Sequence, residues 1–277
     1  MQSPISMQYL ASPEYLALLN QHQLASFGQL WDFKGEWFEP PNRERGGWSG
    51  VNYVELTVES GEKRGVYLKR QQNFMRRSLR HPIAGEPTFM REFTILQHLA
   101  KHQVNAPKVV FFAAQAKQAI LITEALVGYV DLDTWLEQNP NANIARKKNL
   151  IRSIANTVKN LHEAGVQHRS LYPKHLFVKE IKSIKENNGF EVAIIDFEKS
   201  RITPLITRLK LSDLITLSRR LPQISRTQKL TFFKQYLGLN NNGANKLNAS
   251  QKQLCKKLYQ KSISSALSGA KISTSQP

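Results

Sequence analysis

The sequence predicts an α+β chain in which a strand-rich first part with one helix is followed by a mainly helical second part. Three observations predict it. Val51–Val58 alternates apolar and polar residues, then meets the polar turn GEKRG and the strand-like VYLKRQ, the pattern of a hairpin. Phe89, Phe93, Leu96 and Leu99 recur at helical spacing after Glu86-Pro87, which opens that helix. Ile151, Ile154, Val158 and Leu161 form a second such stripe within a helix expected over Ile144–Ala164.

Each element follows in order. Residues 1–30 read as a helical N-terminal extension, polar and amphipathic, with no basic-then-apolar leader pattern. Trp31 to Gln71 is strand-like throughout. Val109–Val130 reads as two buried strands, Lys108–Ala113 and Ala119–Glu124, joined by a turn. Gln, Lys and Glu interrupt it well short of the roughly 20 apolar residues that span a bilayer. Val192–Ile195 is a short apolar strand ending in Asp196. Helices dominate after Thr207, and the polar tail beyond Asn240 frays after about Ser265.

Hydrophobic residues make up 41% of the 277 positions and charged residues 22%, the balance of a soluble globular protein. The single cysteine, Cys255, excludes an intrachain disulfide and lacks metal-ligand spacing, so it reads as inert. The net charge of +18 is uneven: residues 201–277 carry 14 Lys and Arg against one acid, Asp213, while residues 1–200 carry 25 against 20. A basic second half suits an anionic partner, whether nucleic acid, membrane surface or phosphorylated substrate, and equally a solvated helical face.

Five features then fall in a fixed order. R-G-G-W-S-G-V (residues 45–51) lies between strand-like segments; it is either a plain hairpin turn or a place where backbone N–H groups approach phosphate. Lys69 follows in V-Y-L-K, an exposed strand-end residue or an inward lysine that needs a carboxylate or phosphate. Glu92 sits in the first helix. H-R-S-L-Y-P-K-H (residues 168–175) parallels the H-R-D-L-x-x-x-N loop of protein kinases, with Ser170 at the Asp position and His175 at the Asn position. Ile194-Ile195-Asp196-Phe197 ends a strand in a carboxylate suited to a hard cation. Singly each has a bland structural explanation; together they follow the sequence and rough spacing of the kinase signature.

G-G-W-S-G-V, Y-L-K-R-Q, H-R-S-L-Y-P-K-H-L-F-V and I-D-F-E resemble the lipopolysaccharide kinase family, specifically its InaA-type branch, related to the Kdo and heptose kinases of bacteria. The resemblance covers roughly Trp37–Leu237. It implies a two-lobed protein-kinase-like fold, with an N-lobe over residues 31–126, a C-lobe over 127–265 and a flexible tail at 266–277. It also implies ATP with Mg²⁺ as phosphoryl donor and a sugar hydroxyl of a glycolipid as acceptor. Gly46, Gly47 and Gly50 would cover the phosphates, and Lys69 would bind them while paired with Glu92. After a gatekeeper at Thr123, the backbone of Glu124 and Leu126 would meet adenine. Asp196 would hold Mg²⁺ with His175 at the second metal position, and Asp213 would brace the catalytic loop.

Ser170 departs from the family's better-known members, because a serine hydroxyl cannot act as a general base at pH 7. Glu198 replaces the glycine of Asp-Phe-Gly, either near the metal or salt-bridged to Lys199 or Arg201. Three readings follow: a glycolipid kinase, cytoplasmic and peripheral at the anionic face of the inner membrane; a pseudokinase with a scaffold or stress role; and a polyanion binder. The last lacks any nucleic-acid-reading motif, so no specific nucleic acid is expected.

Overall fold

The structure, a computed structural model, describes residues 7–10, 13–44, 46–76, 85–181, 189–203, 206–221 and 223–238, with positions 249, 253, 256 and 260. Arg45, Cys255, Lys257 and the tail at 266–277 lie outside the described residues. The chain divides into two compact units, one of residues 1–101 with 106–127, the other of 102–105 with 128–277.

The first unit is built on a six-stranded sheet in the order β1-β7-β8-β4-β3-β2. Its elements are β1 (Met7–Leu10), α1 (Pro13–Gln21), α2 (Phe27–Trp31), β2 (Trp37–Asn42), β3 (Trp48–Thr57), β4 (Lys63–Gln72), β5 (Met75–Arg76), β6 (Glu86–Pro87), α3 (Thr88–Lys101), β7 (Val109–Gln115) and β8 (Gln118–Glu124). The expected hairpin is β3–β4, running from Trp48↔Gln72 to Thr57↔Lys63. Its turn closes one step earlier than GEKRG, through the Gly61 N–H to the Val58 carbonyl, with Gly61 at φ +84°. Only glycine adopts that conformation cheaply.

Strand residues two apart share a face, and both faces of this sheet are covered. On one, Val54, Leu56, Val66, Leu68, Ile120 and Ile122 form a core with Leu18, Leu19, Leu24 and Leu30. The opening segment is therefore part of the sheet's core, and Met7–Leu10 pairs with β7 as an added strand where helix alone was expected. On the other face lies α3, whose Phe93 stacks on Phe112 of β7 at 4.4 Å between ring centroids. The helix begins at Thr88, two residues later than expected. Glu86 and Pro87 instead pair with β5, so the proline meets the helix from outside.

The second unit holds β9 (Val130–Asp131), α4 (Leu132–Gln138), α5 (Ile144–Glu163), β10 (Val166–Gln167), β11 (Leu176–Ile181), β12 (Gly189–Ile194), β13 (Arg201–Ile202), α6 (Ile206–Arg219) and α7 (Arg226–Tyr236). Its central helix α5 is capped by Asn143, whose side chain accepts from the Arg146 N–H and satisfies an otherwise orphaned donor. Leu150, Ile151, Ile154, Ala155, Val158 and Leu161 form its buried stripe. β12, β11 and β9 make a small antiparallel sheet, and β10 pairs with β13. The strand β11 was not expected; LFVKEI follows so closely on H-R-S-L-Y-P-K-H that its alternation is easily read as loop.

Candidate functional site

In the first unit, Lys69 stands in the middle of β4, between Val51 of β3 and Leu121 of β8. Its Nζ lies 2.7 Å from Glu92 Oε1 of α3, with the two side chains 21% and 3% exposed. Glu92 Oε2 is buried and makes no hydrogen bond among the described residues. A carboxylate in that position is costly without a cation beside it, and Lys69 supplies one. Gln71, two residues along on the same face, fixes the start of α3. Its Oε1 accepts from Thr88 Oγ1 at 2.8 Å and from the Phe89 N–H at 3.1 Å, and its Nε2 donates to the Phe74 carbonyl at 2.9 Å.

The glycines have local packing reasons. A Cβ on Gly47 would meet the Gln72 carbonyl oxygen at 2.2 Å, and one on Gly50 would meet the Trp37 ring at 2.7 Å. Gly46 is in the left-handed region at φ +73°. At the end of β8, Thr123 is buried, the Glu124 N–H donates to the Lys108 carbonyl at 2.9 Å, and the Glu124 carboxylate accepts from the Tyr15 hydroxyl. Burial, and then that bond, push the Tyr15 pKa above its ordinary value. Leu126 is half-buried just before exposed Val127.

In the second unit, the loop after β10 is held from beneath by Asp213 of α6, which is 1% exposed. Its Oδ2 accepts from the His168 N–H at 2.7 Å and its Oδ1 from the Arg169 N–H at 2.8 Å. His162 Nε2 is 3.2 Å from Oδ2, and the Tyr236 hydroxyl is 2.8 Å from His162 Nδ1. This is the bracing role the resemblance implies for Asp213. His168 is buried; its Nε2–H donates to the Ile195 carbonyl at 2.9 Å while Nδ1 accepts from the Ser170 N–H at 3.3 Å. Burial lowers its pKa below the ordinary value.

Ser170 is 3% exposed, and its carbonyl accepts from the Tyr172 N–H at 2.8 Å. That carbonyl also lies 2.8 Å from His175 Nδ1, which must therefore carry a proton. His175 Nε2 is 3.2 Å from Asp196 Oδ2. A neutral ring would present a lone pair to the carboxylate, two acceptors in contact. Either a second ring proton or a cation taken by both satisfies the pair. Asp196 sits at φ +65° with its side chain 40% exposed, aimed outward from the end of β12. No group of three or more His, Cys, Asp or Glu gathers to hold a metal among the described residues.

Residues 28–236 match the model of the lipopolysaccharide kinase (Kdo/WaaP) family. The chain belongs to that family. Over 182 residues it is 33% identical to protein InaA of Escherichia coli (strain K12), covering 63% of this chain and 78% of that one. It is 26% identical over 174 residues to the lipopolysaccharide core heptose(I) kinase WaaP of the same strain, 58% of this chain and 63% of that one. A WaaP of Pseudomonas aeruginosa is 28% identical over 127 residues, 43% and 46% of the two chains. This lipopolysaccharide kinase family member thus spans less than two thirds of the WaaP chains it matches. The solved structure of WaaP in complex with acyl carrier protein superposes with a TM-score of 0.64 at 20% identity, covering 93% of this chain and 99% of that one. The fold is accordingly the two-lobed protein-kinase-like fold, with a strand-rich N-lobe and a mainly helical C-lobe.

Within the family frame, the structure brings Lys69 and Glu92 together in one unit and Ser170, His175, Asp196 and Asp213 in the other. Sequence reasoning missed Gln71, His162 and Tyr236. The first is hidden by the lysine two residues before it in Y-L-K-R-Q, and His162 directly follows Leu161 on the stripe of α5. Arg70 was missed too. It is 4% exposed, donating to the carbonyls of Trp31 and Phe33 and to Asn52 Oδ1.

Proposed function

We propose that this chain is an ATP-dependent phosphotransferase that moves the γ-phosphoryl group of ATP to a sugar hydroxyl of a lipopolysaccharide core or similar acceptor. The Lys69–Glu92 pair carries the reading: a lysine held at 2.7 Å by a nearly buried carboxylate is a fixed cation of the kind that takes phosphate oxygens. Mg·ATP would bring the phosphoryl group and a metal charge that neutralises it. Lys69 would bind the phosphates beneath Gly46, Gly47 and Gly50, and the backbone of Glu124 and Leu126 would meet adenine. Asp196 would hold Mg²⁺. The outward carboxylate fits a hard cation that keeps few protein ligands, and His175 shares it at 3.2 Å.

Ser170 stands where a base is expected, and its hydroxyl can position an acceptor without taking its proton. Phosphoryl transfer goes through a loose transition state in which positioning and charge carry most of the catalysis. A general base adds only about 10²–10⁴-fold. Its loss is compatible with slow transfer. No helix among the described residues is long and apolar enough to cross a membrane. We place the enzyme at the cytoplasmic side, held peripherally to an anionic bilayer by its basic half.

A second reading, a nucleotide-binding pseudokinase, rests on Ser170 itself. Thermal unfolding with and without Mg·ATP tests the common ground. At about 100 times Kd, a ligand specific for the folded state stabilises by about 2.7 kcal/mol, and Asp196→Ala should remove the Mg²⁺-dependent part. No shift with any nucleotide overturns both readings. Transfer to lipopolysaccharide acceptors, raised by Ser170→Asp, separates them; inactivity of both forms favours the pseudokinase.

A further inference from the structure

We infer that Phe38, Tyr53 and Tyr67 form a stacking platform for the base of the phosphoryl donor, and that this platform takes guanine about as well as adenine. The assignment to a donor rests on the function proposed above; the capture of a base does not.

The platform begins with a departure in the strand that carries the lysine. The kinase signature writes that strand V-A-I-K, and here it is Val66-Tyr67-Leu68-Lys69. Residues two apart share a face of a strand and stand about 6.6 Å apart along it, so Tyr67 is the next side chain along from Lys69. Alanine there leaves open space beside the lysine; tyrosine puts a ring in it. Register brings two more rings to the same face. Tyr53 of β3 is paired directly with Tyr67, and their ring centroids are 5.5 Å apart at 61°. Phe38 of β2 follows Trp37, which is paired with Asn52, and so turns to the other face, that of Tyr53. Its ring lies 5.1 Å from that of Tyr67 at 64°.

The rings stand beside the segment expected to meet the base. Tyr67 faces Thr123 across the β4–β8 pairing. A Cβ on Gly65 would meet Tyr53 Cζ at 2.8 Å, so the missing side chain is what lets the Tyr53 phenol lie on the backbone. The Gly65 carbonyl accepts from the Ala125 N–H at 2.9 Å, and the Glu124 N–H is spent on the Lys108 carbonyl. Two consecutive N–H groups of this segment are thus taken and cannot read the edge of a base. Recognition shifts to the base's face. All of these residues belong to the first unit.

The platform is fixed, neutral and open. Edge-to-face contacts hold Tyr67 from two sides. Burial, and then Tyr53 and Glu39, raise its pKa against the opposing pull of Lys69, so the hydroxyl keeps its proton at pH 7. Phe38 is 59% exposed and Tyr53 46%, which leaves aromatic surface uncovered beside the lysine. A nucleotide whose phosphates sit on Lys69 carries its base one ribose away, and the next side chain on that face is Tyr67. Every base has a π-face, so stacking holds bases without choosing among them.

The probes are the Mg²⁺ complexes of ATP, GTP and inorganic tripolyphosphate, titrated into the full chain and followed by calorimetry. The wild type should bind ATP and GTP within about 10-fold of each other; a wider gap shows that the edge is read and overturns the inference. Tyr67→Ala and Phe38→Ala should each weaken both nucleotides about 10-fold and leave tripolyphosphate unchanged. Tyr67→Phe keeps the ring and should bind as the wild type does. Phe38 is exposed enough that its truncation tests the platform even where Tyr67→Ala fails to fold. Alanine variants that bind ATP as the wild type does overturn the platform and leave a donor site at Lys69 standing. Tighter ATP binding by Tyr67→Ala overturns it too, because the ring is then a plug. If Phe38→Ala weakens binding to anionic vesicles and not to nucleotides, the rings serve a bilayer and the assignment falls. If binding depends on the base as described but no acceptor is ever phosphorylated, the proposed function falls and the platform stands.

Discussion

Replacing Lys69 by methionine keeps most of the apolar stem of the side chain and removes its charge. Glu92, 3% exposed, then has one oxygen that has lost its partner at 2.7 Å and another with no hydrogen bond among the described residues. Removing one member of a buried pair costs about 3–5 kcal/mol, because the other charge stays desolvated. At about 2–4 °C per kcal/mol for a chain of this size, melting should fall by roughly 6–20 °C. Three of the four tryptophans, Trp31, Trp37 and Trp48, lie in the first unit, so their fluorescence during urea unfolding reports mainly that unit. The double variant Lys69→Met/Glu92→Leu removes the stranded carboxylate and should recover about 1–3 kcal/mol relative to Lys69→Met. A loss below about 1 kcal/mol for Lys69→Met, or a double variant no more stable than the single, would refute the claim that the buried Glu92 carboxylate depends on this lysine.

Other outcomes are expected along the same lines. Asp213→Asn leaves a single acceptor oxygen for two backbone N–H groups and should cost about 1.5–3 kcal/mol, read from the urea midpoint. His168 is a base whose folded pKa is lowered by burial, so below about pH 6.5 the unfolded chain binds a proton that the folded chain refuses. Its contribution to stability is present above that pH and is lost as pH falls, by up to about 1.4 kcal/mol per pH unit. His168→Asn should flatten that slope between pH 7 and 5. Gly47→Ala drives a methyl into the Gln72 carbonyl and should cost about 1–3 kcal/mol, whereas Gly28→Ala, with open space around it in α2, should stabilise by about 0.5–1 kcal/mol; urea midpoints rank the two. Vesicles rich in anionic lipid should bind the chain reversibly with salt, and charge reversal at Arg219 and Arg220 should weaken it; tight binding of nucleic acid with indifference to vesicles would return the basic half to a polyanion role.

What the sequence made legible was whatever periodicity and order encode. The β3–β4 hairpin shows in Val51–Val58 because alternate residues there are buried, and α5 shows because its stripe repeats every three or four residues. The kinase-like residues show because five weak signals share one order. Polar groups buried one at a time leave no such trace. Gln71 reads as one more polar strand residue until the start of α3 is seen to rest on its side-chain oxygen. His162 and Tyr236, 74 positions apart, meet only through the fold. The opening segment looked like an appendage because nothing local shows what its leucines pack on; they join a core completed by the far-off strands β3, β4, β7 and β8.

The side chains of Lys69 and Gln71 have a mechanical consequence. One strand grips α3 at Thr88 and Phe89 and again at Glu92, both on the side turned to the sheet. A rod held at one point can roll about its long axis, but a rod held at two points along the same edge cannot. The first turn of α3 has therefore lost its axial rotation, and buried Ile95, Leu96 and Leu99 seat the rest of the helix. Any event that re-aims Glu92 must break the lysine's grip or carry β4 along with it.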